Sequence, residues 1–496
     1  MGIIIRQSIK GTFWSYLGVI VGFVTTAYLF PEYLEPETIG LLGLLLAWSR
    51  LFAQFSSLGF NGITSRLFPY FRNKEKGHNG YLFIAFMVML IGFILFLTAF
   101  WFLRPWLIES NSEKSQLFTE YIYLIVPVTF FLLLFNLLDI FNKLLYNAVF
   151  GTFLKELVQR ILILGVVLLF IFNRISLPVL IIAYAGAISA KGIAIFIYLL
   201  AKGEIDLKPR LDFIDKKLRK EMINVAMFSI LAGIGGSIVF QIDKIIINQM
   251  LGLEATGIYT IAFFFGTLVV IPSRPLLRIS GTLIANAWKQ NDVAYIKEIY
   301  HKSSLNQFII AAFLFGGIWI NIENILTILG PEYAGGKGVI LLIGLGYLID
   351  MATGANGQII SFSKYYRMGL WFLVVLIVLV VSAMFLFIPA WGITGAAAAI
   401  ALAFLVNNLM RFLFLYKKFR MQPFSKHFAL AGMAFLMAFV VARVIPEFRL
   451  IPDILIRSSV FTVAFAAIVL GTKVSSDINE TVIKFFKKNS FNHKRR

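Results

Sequence analysis

Arg50, Arg160, Lys191, Asp243, Lys244 and Asp350 stand inside stretches otherwise apolar enough to lie in lipid. An ionisable side chain at the centre of a membrane helix costs about 2.5–3.5 kcal/mol on insertion scales, so it faces protein or a water-filled cavity. Gln54 lies one turn beyond Arg50 on the same helical face. Arg274 and Arg278 are one turn apart at the end of another apolar stretch, flanked by Pro272 and Pro275. Positive charge dominates the set. It suits an anionic group such as a phosphate or diphosphate, where one partly screened pair at ~4 Å is worth about 4 kcal/mol before desolvation.

Each of these residues also has a structural reading. Arg50 has no acid nearby in the sequence, so it either lines a cavity or pairs with another helix. Adjacent residues point about 100° apart on a helix, so Asp243 and Lys244 do not neutralise each other directly. Asp243 and Asp350 are the candidates to bind a coupling cation, Na+ or H+; Asp350 serves equally well as a buried structural acid. Arg274, Arg278 and Asp139 lie close to the membrane interface, where ordinary snorkelling accounts for them. The candidate substrate-binding set is Arg50, Gln54, Arg160, Lys191, Lys244, Arg274 and Arg278. Helix breakers fall nearby: Gly233, Gly235 and Gly236 loosen one stretch, and Pro272 and Pro275 free backbone carbonyls in the next. Gly392, Gly395 and the alanines at 396–399 form a small-residue face suited to close helix packing.

Other chemistries are missing from the sequence. There is no Gly-x4-Gly-Lys-Ser/Thr loop to cradle a nucleotide. Zero cysteines excludes disulfides, thiol catalysis and Cys-ligated zinc. The four histidines, His78, His301, His427 and His493, all fall in segments expected to be cytoplasmic, which leaves no intramembrane histidine relay. No cofactor is expected. A net charge of +20 would suggest nucleic acid in a soluble chain. Here membrane topology and attraction to an anionic inner leaflet explain it, so no nucleic-acid partner is expected.

About fourteen apolar stretches of spanning length must position these residues. They lie near 11–30, 38–60, 80–103, 118–138, 153–172, 178–200, 222–247, 255–275, 305–322, 338–360, 368–388, 392–415, 427–444 and 454–471. Of the 45 basic residues, 34 fall on the side holding both termini and 7 on the other, with Arg50, Arg160, Lys191 and Lys244 inside spans. By the positive-inside rule both termini are cytoplasmic. Composition agrees, with 59% hydrophobic and 14% charged residues where a soluble domain carries roughly a quarter charged. The short gaps, the longest outer one being 104–120, leave no room for a soluble catalytic domain, so no enzyme is expected. The start, Met1 to Gln7, reads as an amphipathic lead-in, not a removed signal peptide. Arg6 stands where myristoylation needs Ser or Thr.

The sequence repeats itself. Leu34-x-x-Glu37-x-x-Gly40 follows the first span and Leu251-x-x-Glu254-x-x-Gly257 follows the seventh, with Gly18 and Gly235 at the same offset. A six-span shift keeps orientation, so the expected fold is all-α, with two parallel six-helix lobes in a V and two extra helices. The lobes are 1–200 and 222–416, joined by a basic linker helix at 201–221 and followed by spans over 427–471. A basic tail, 472–496, ends in Lys494-Arg495-Arg496 and suits attraction to anionic lipid.

Leu34-Glu35-Pro36-Glu37-Thr38-Ile39-Gly40, Leu58-Gly59-Phe60-Asn61-Gly62 with the basic stretch 66–72, and Leu251-Gly252-Leu253-Glu254-Ala255-Thr256-Gly257-Ile258-Tyr259 carry a resemblance. The chain resembles the polysaccharide-unit flippases (O-antigen and exopolysaccharide type) of the multidrug/oligosaccharidyl-lipid/polysaccharide (MOP) exporter superfamily. The resemblance implies alternating access and an isoprenoid-diphosphate-linked oligosaccharide carried from the inner to the outer leaflet of a bacterial-type cytoplasmic membrane. It implies as partners that lipid-linked oligosaccharide, membrane lipids, and a polysaccharide polymerase with its chain-length machinery. Pro31-Glu32-Tyr33 stands where family members often carry a basic residue, and span one lacks the charge of the lipid II flippases. A cation-coupled multidrug exporter, a lipid II flippase and a membrane polymerase are the competing readings. A cavity richer in cations than acids disfavours cationic drugs, and the short outer loops disfavour a polymerase.

Overall fold

The computed structural model describes residues 2–482 and 484, so the basic end Lys494-Arg495-Arg496 lies outside the described residues. Each of the expected apolar stretches is helical, and no strand occurs among the described residues. Helix α1 (Gly2–Phe23) continues through a π-helical turn, Val24–Leu29, to Tyr33. α2 (Pro36–Ser56) starts on a proline, whose fixed φ suits a first helical turn and whose missing N–H is not needed there. Gly59, at φ 72°, turns the chain into α3 (Phe60–Phe71). α4 (Tyr81–Glu109) and α5 (Ile125–Leu144) follow. Ala148–Phe153 and a second π-helical turn, Leu154–Val158, lead into α6 (Gln159–Ile171). Then come α7 (Leu177–Ala201), α8 (Lys216–Leu251), α9 (Leu253–Thr267), α10 (Ser273–Lys289) and α11 (Val293–Ile320). α12 (Lys337–Ala352), α13 (Met368–Phe419), α14 (Lys426–Arg443) and α15 (Leu450–Gly471) complete the chain.

Twelve helices among the described residues are long and apolar enough to cross a membrane, and the chain is a multi-pass membrane protein. Two local features separate this count from the fourteen stretches. The π turn at 154–158 leaves α6 only 13 residues long, so the fifth stretch is helical but broken. In α13 the eleventh and twelfth stretches run together across Gly392, whose φ of 55° and ψ of −137° are not helical. A Cβ on Gly395 would lie 2.2 Å from the Phe387 carbonyl oxygen. Residues eight apart in a straight helix are separated by about 12 Å. The chain therefore doubles back at Pro389–Gly392, and α13 is a tight pair of antiparallel helices.

By internal contacts the residues divide into two compact units, Met1–Ile261 and Ala262–Arg496. In the first, α2 is the hub, packed by α4, α5 and α8. α8 runs antiparallel to it in a fixed register. Cβ atoms added to Gly43 and Gly59 of the α2–α3 segment would meet Lys244 and Ala226, and one on Gly233 of α8 would meet Gln54. In the second unit α12 packs on α13 and α11. Fully buried Ala431, Ala434, Ala438 and Ala442 give α14 a small-residue stripe against Phe461 and Phe465 of α15.

The basic join between repeats departs from the expected linker helix. Residues 204–210 form no regular element, and α8 begins only at Lys216, capped by the Asp215 carboxylate accepting from the Leu218 N–H. Local side-chain bonding defeats the helix here. Asp206 accepts from the Lys208 N–H at 2.9 Å, and Glu204 is drawn to Lys74 and His78 of the α3–α4 loop, at 2.6 and 3.4 Å.

Candidate functional site

The π turn at Leu154–Val158 sets the register of the fifth stretch, and π turns recur at functional sites. Within it, Lys155 is exposed although it lies in an apolar stretch, and Arg50 is likewise exposed between buried Ser49 and Leu51. Exposure at such positions is explained by what surrounds them. The charge of Arg50 acts on Tyr184 and Glu156, on Lys155, on Lys191 and on Lys244, side chains from three other helical segments. Arg50 thus shares a charged neighbourhood with the π turn, α7 and α8 within the first unit. Opposite it, by the register of α2 on α8, lies the Gly236–Ser237 stretch, where a Cβ on Gly236 meets nothing within 4 Å.

The cations differ in how they are satisfied. Lys191 is buried, donates to Gln159 Oε1 at 2.8 Å and sits 5.1 Å from the centre of the Phe135 ring. Arg160 is held by Glu156 at 3.4 Å and by the Gly18 carbonyl oxygen at 3.0 Å, so it ties α1 to the fifth stretch. Asp139, expected to snorkel, is buried, and its carboxylate accepts from Lys143 at 2.5 Å. Arg50, Lys155 and Lys244 form no ion pair among the described residues. Carboxylate charge is nonetheless close by, from Glu156 toward Arg50 and Lys155 and from Asp243 toward Lys244.

Other expected residues lie elsewhere. Asp243 is fully buried beside Lys244; its carboxylate accepts from the Tyr259 hydroxyl at 2.9 Å and from the Lys244 N–H at 2.9 Å. Gln54 covers Gly233, filling the α2–α8 contact. Asp350 belongs to the second unit, where it accepts from Asn408 at 3.0 Å and feels the charge of Arg411. Asn408 in turn accepts from Thr353 and Asn356. Arg274 and Arg278, also in the second unit, are exposed on α10. Lys155 and Arg411 are absent from the sequence-derived set. Both sit only a few residues inside their apolar stretches, and Lys155 could have been found from its place beside Glu156 and five residues before Arg160.

A family model described as polysaccharide biosynthesis protein matches residues 8–283. Among solved structures, the fold is similar to lipid II flippase MurJ in an inward closed conformation, with TM-score 0.72 and 13% identity over 95% of this chain and 100% of that one. It is also similar to an inward-facing multidrug resistance MATE family transporter of the MOP superfamily, with TM-score 0.64 and 14% identity over 82% and 94%. A MOP superfamily transporter from Pyrococcus furiosus, described by a binding pocket of reverse polarity, aligns with TM-score 0.53 and 16% identity over 84% and 95%. No curated protein sequence matches the chain. These likenesses show the fold.

Proposed function

The chain belongs to the polysaccharide biosynthesis protein family of the MOP superfamily, and from that premise we propose that it is a lipid-linked oligosaccharide flippase. It carries an isoprenoid-diphosphate-linked repeat unit from the inner to the outer leaflet of the cytoplasmic membrane by alternating access, with both termini cytoplasmic. No covalent bond is made or broken. The observation that carries this reading is the unpaired cation cluster of Arg50, Lys155 and Lys244. A diphosphate adds charge opposite to these three cations, which Glu156 and Asp243 only partly offset. Lys191 borders the cluster, and Arg160 and Gln54 position its walls. Asp243 or Asp350 binds a coupling cation, Na+ or H+. Arg274 and Arg278 meet phosphates at the membrane surface, and a polymerase with its chain-length machinery takes the delivered unit.

The test is a deletion strain. Lipid-linked repeat units should accumulate in the inner leaflet, and Arg50→Ala should fail to restore export while inserting normally. Normal surface polysaccharide in the deletion strain overturns the proposal. A change in susceptibility to unrelated cationic drugs on overexpression would favour a multidrug exporter instead. Loss of lipid II translocation would favour the peptidoglycan precursor as cargo.

A further inference from the structure

Beyond the cargo path, we propose that the protein holds one acyl chain of an anionic inner-leaflet phospholipid in a pocket between α3, α4 and α8. The pocket measures about 550 Å³. Its walls are apolar: Phe60 and Ile63 of α3, Ile84 and Val88 of α4, and Ile223 and Ala226 of α8. Water entering such a space finds too few polar partners to remain, so at membrane depth hydrocarbon fills it.

One cation stands at the wall. Arg219 lines the pocket and is exposed, and Lys216, Lys217 and Lys220 are exposed on the same turn of α8. None of the four forms an ion pair among the described residues, despite Asp212, Asp215 and Glu221 nearby in sequence. On the orientation set by the 34-to-7 split of basic residues, this turn lies at the inner-leaflet headgroups. There a basic cluster attracts anionic lipid.

Apolar walls beside a basic turn suit one acyl chain whose anionic headgroup meets Arg219. The occupant also bears on the fold, because Ala226 lies against Gly59: a Cβ there would sit 2.3 Å from the Ala226 carbonyl oxygen. The chain therefore braces the α3–α8 crossing near the start of the helix that carries Lys244.

The test uses purified full-length protein and native mass spectrometry. Palmitoyl-oleoyl phosphatidylglycerol, phosphatidylcholine with the same chains, and a polyprenyl phosphate are titrated separately and in competition. One phosphatidylglycerol per chain should be retained, in preference to phosphatidylcholine. Val88→Trp or Ile84→Trp should weaken retention about tenfold or more. Arg219→Ala should lower the preference for the anionic headgroup about fivefold while the chain still binds. Tryptophan variants that melt like the wild type yet retain phosphatidylglycerol equally overturn the site. Equal competition by polyprenyl phosphate overturns the assigned occupant, and neither result bears on oligosaccharide export.

Discussion

Gly40 and Gly257 occupy equivalent places in the two repeat motifs and pack backbone to backbone. A Cβ on Gly40 would lie 3.0 Å from the Gly257 amide nitrogen and 2.0 Å from the Leu253 carbonyl oxygen. The reciprocal Cβ on Gly257 would lie 1.8 Å from the Pro36 carbonyl oxygen. Reciprocity of this kind is the signature of a two-fold relation, in which one residue contacts its own equivalent. Neither glycine has a positive φ, so each contributes the absence of a side chain and nothing else.

Alanine at Gly40 or Gly257 should therefore push the starts of α2 and α9 apart. Overpacking costs about 1–3 kcal/mol, and thermal unfolding in detergent should register it for either variant. Gly165 of α6 is the control, because an added Cβ there meets nothing within 4 Å. Gly165→Ala should be neutral or slightly stabilising, by up to about 1 kcal/mol. Gly40→Ala melting with Gly165→Ala would remove the close approach from the account.

Lys155 should matter as much as Arg50. Lys155→Ala removes one of three unpaired cations, and a diphosphate contact in a partly screened site is worth about 4 kcal/mol before desolvation. Translocation of a fluorescent lipid-linked oligosaccharide in proteoliposomes should fall at least about tenfold, which needs only ~1.4 kcal/mol of lost stabilisation. Lys143→Ala, whose ammonium is engaged by Asp139, should have the smaller effect. The reverse order would place the anion elsewhere.

The fold was legible because lipid imposes one pattern, long apolar runs, and the basic residues report their ends independently. The gap between the 368–388 and 392–415 stretches marked the α13 reversal, although Gly392 itself reads in the sequence as a packing residue. The site was half legible. Arg50, Lys191 and Lys244 announce themselves by sitting where charge is costly. Lys155 does not, because it sits only two residues inside its stretch, where a cation reads as interfacial. Arg160 had a readable partner in Glu156 four residues earlier, the spacing at which helical side chains meet. The irregular 204–210 segment depended on Glu204 meeting Lys74, a contact across 130 residues that no local pattern encodes.

That clasp titrates. Burial alone would raise the Glu204 carboxyl, but hydrogen bonds and charge from Lys74 and His78 outweigh it and hold the group below its ordinary value. A carboxyl lowered by folding stabilises the native state above its unfolded pKa, and that stability is lost as pH falls through the folded pKa. Lys74 is 73% exposed, so the contribution should stay under about 1 kcal/mol. Glu204→Gln should melt slightly below the wild type at neutral pH, and the two curves should converge as pH drops below about 4.3, the unfolded glutamate value. A gap that widens in acid would mean the clasp does not hold the carboxylate charged.

Arg457 should be the most sensitive charge outside the Arg50 cluster. It is 5% exposed, donates to Asp453 at 2.7 Å and to the Ile445 carbonyl at 3.1 Å, and reaches the Ala442 and Pro446 carbonyls at 3.4 Å. Asp453 also accepts from Asn324 at 2.6 Å and from the Phe448 N–H at 3.1 Å, so one buried pair closes the α14–α15 turn and pins it to the segment after α11. Removing one partner of a buried ion pair strands the other, at a cost of about 3–5 kcal/mol. Arg457→Ala should lower the melting temperature sharply, and Arg457→Lys should rescue little, since one ammonium cannot replace a planar fork of donors aimed at several carbonyls. Replacing both residues, Asp453→Leu with Arg457→Met, should recover much of the loss, because an apolar pair leaves no charge stranded. If the double variant melts no higher than Arg457→Ala, the carbonyl contacts rather than the ion pair hold the turn.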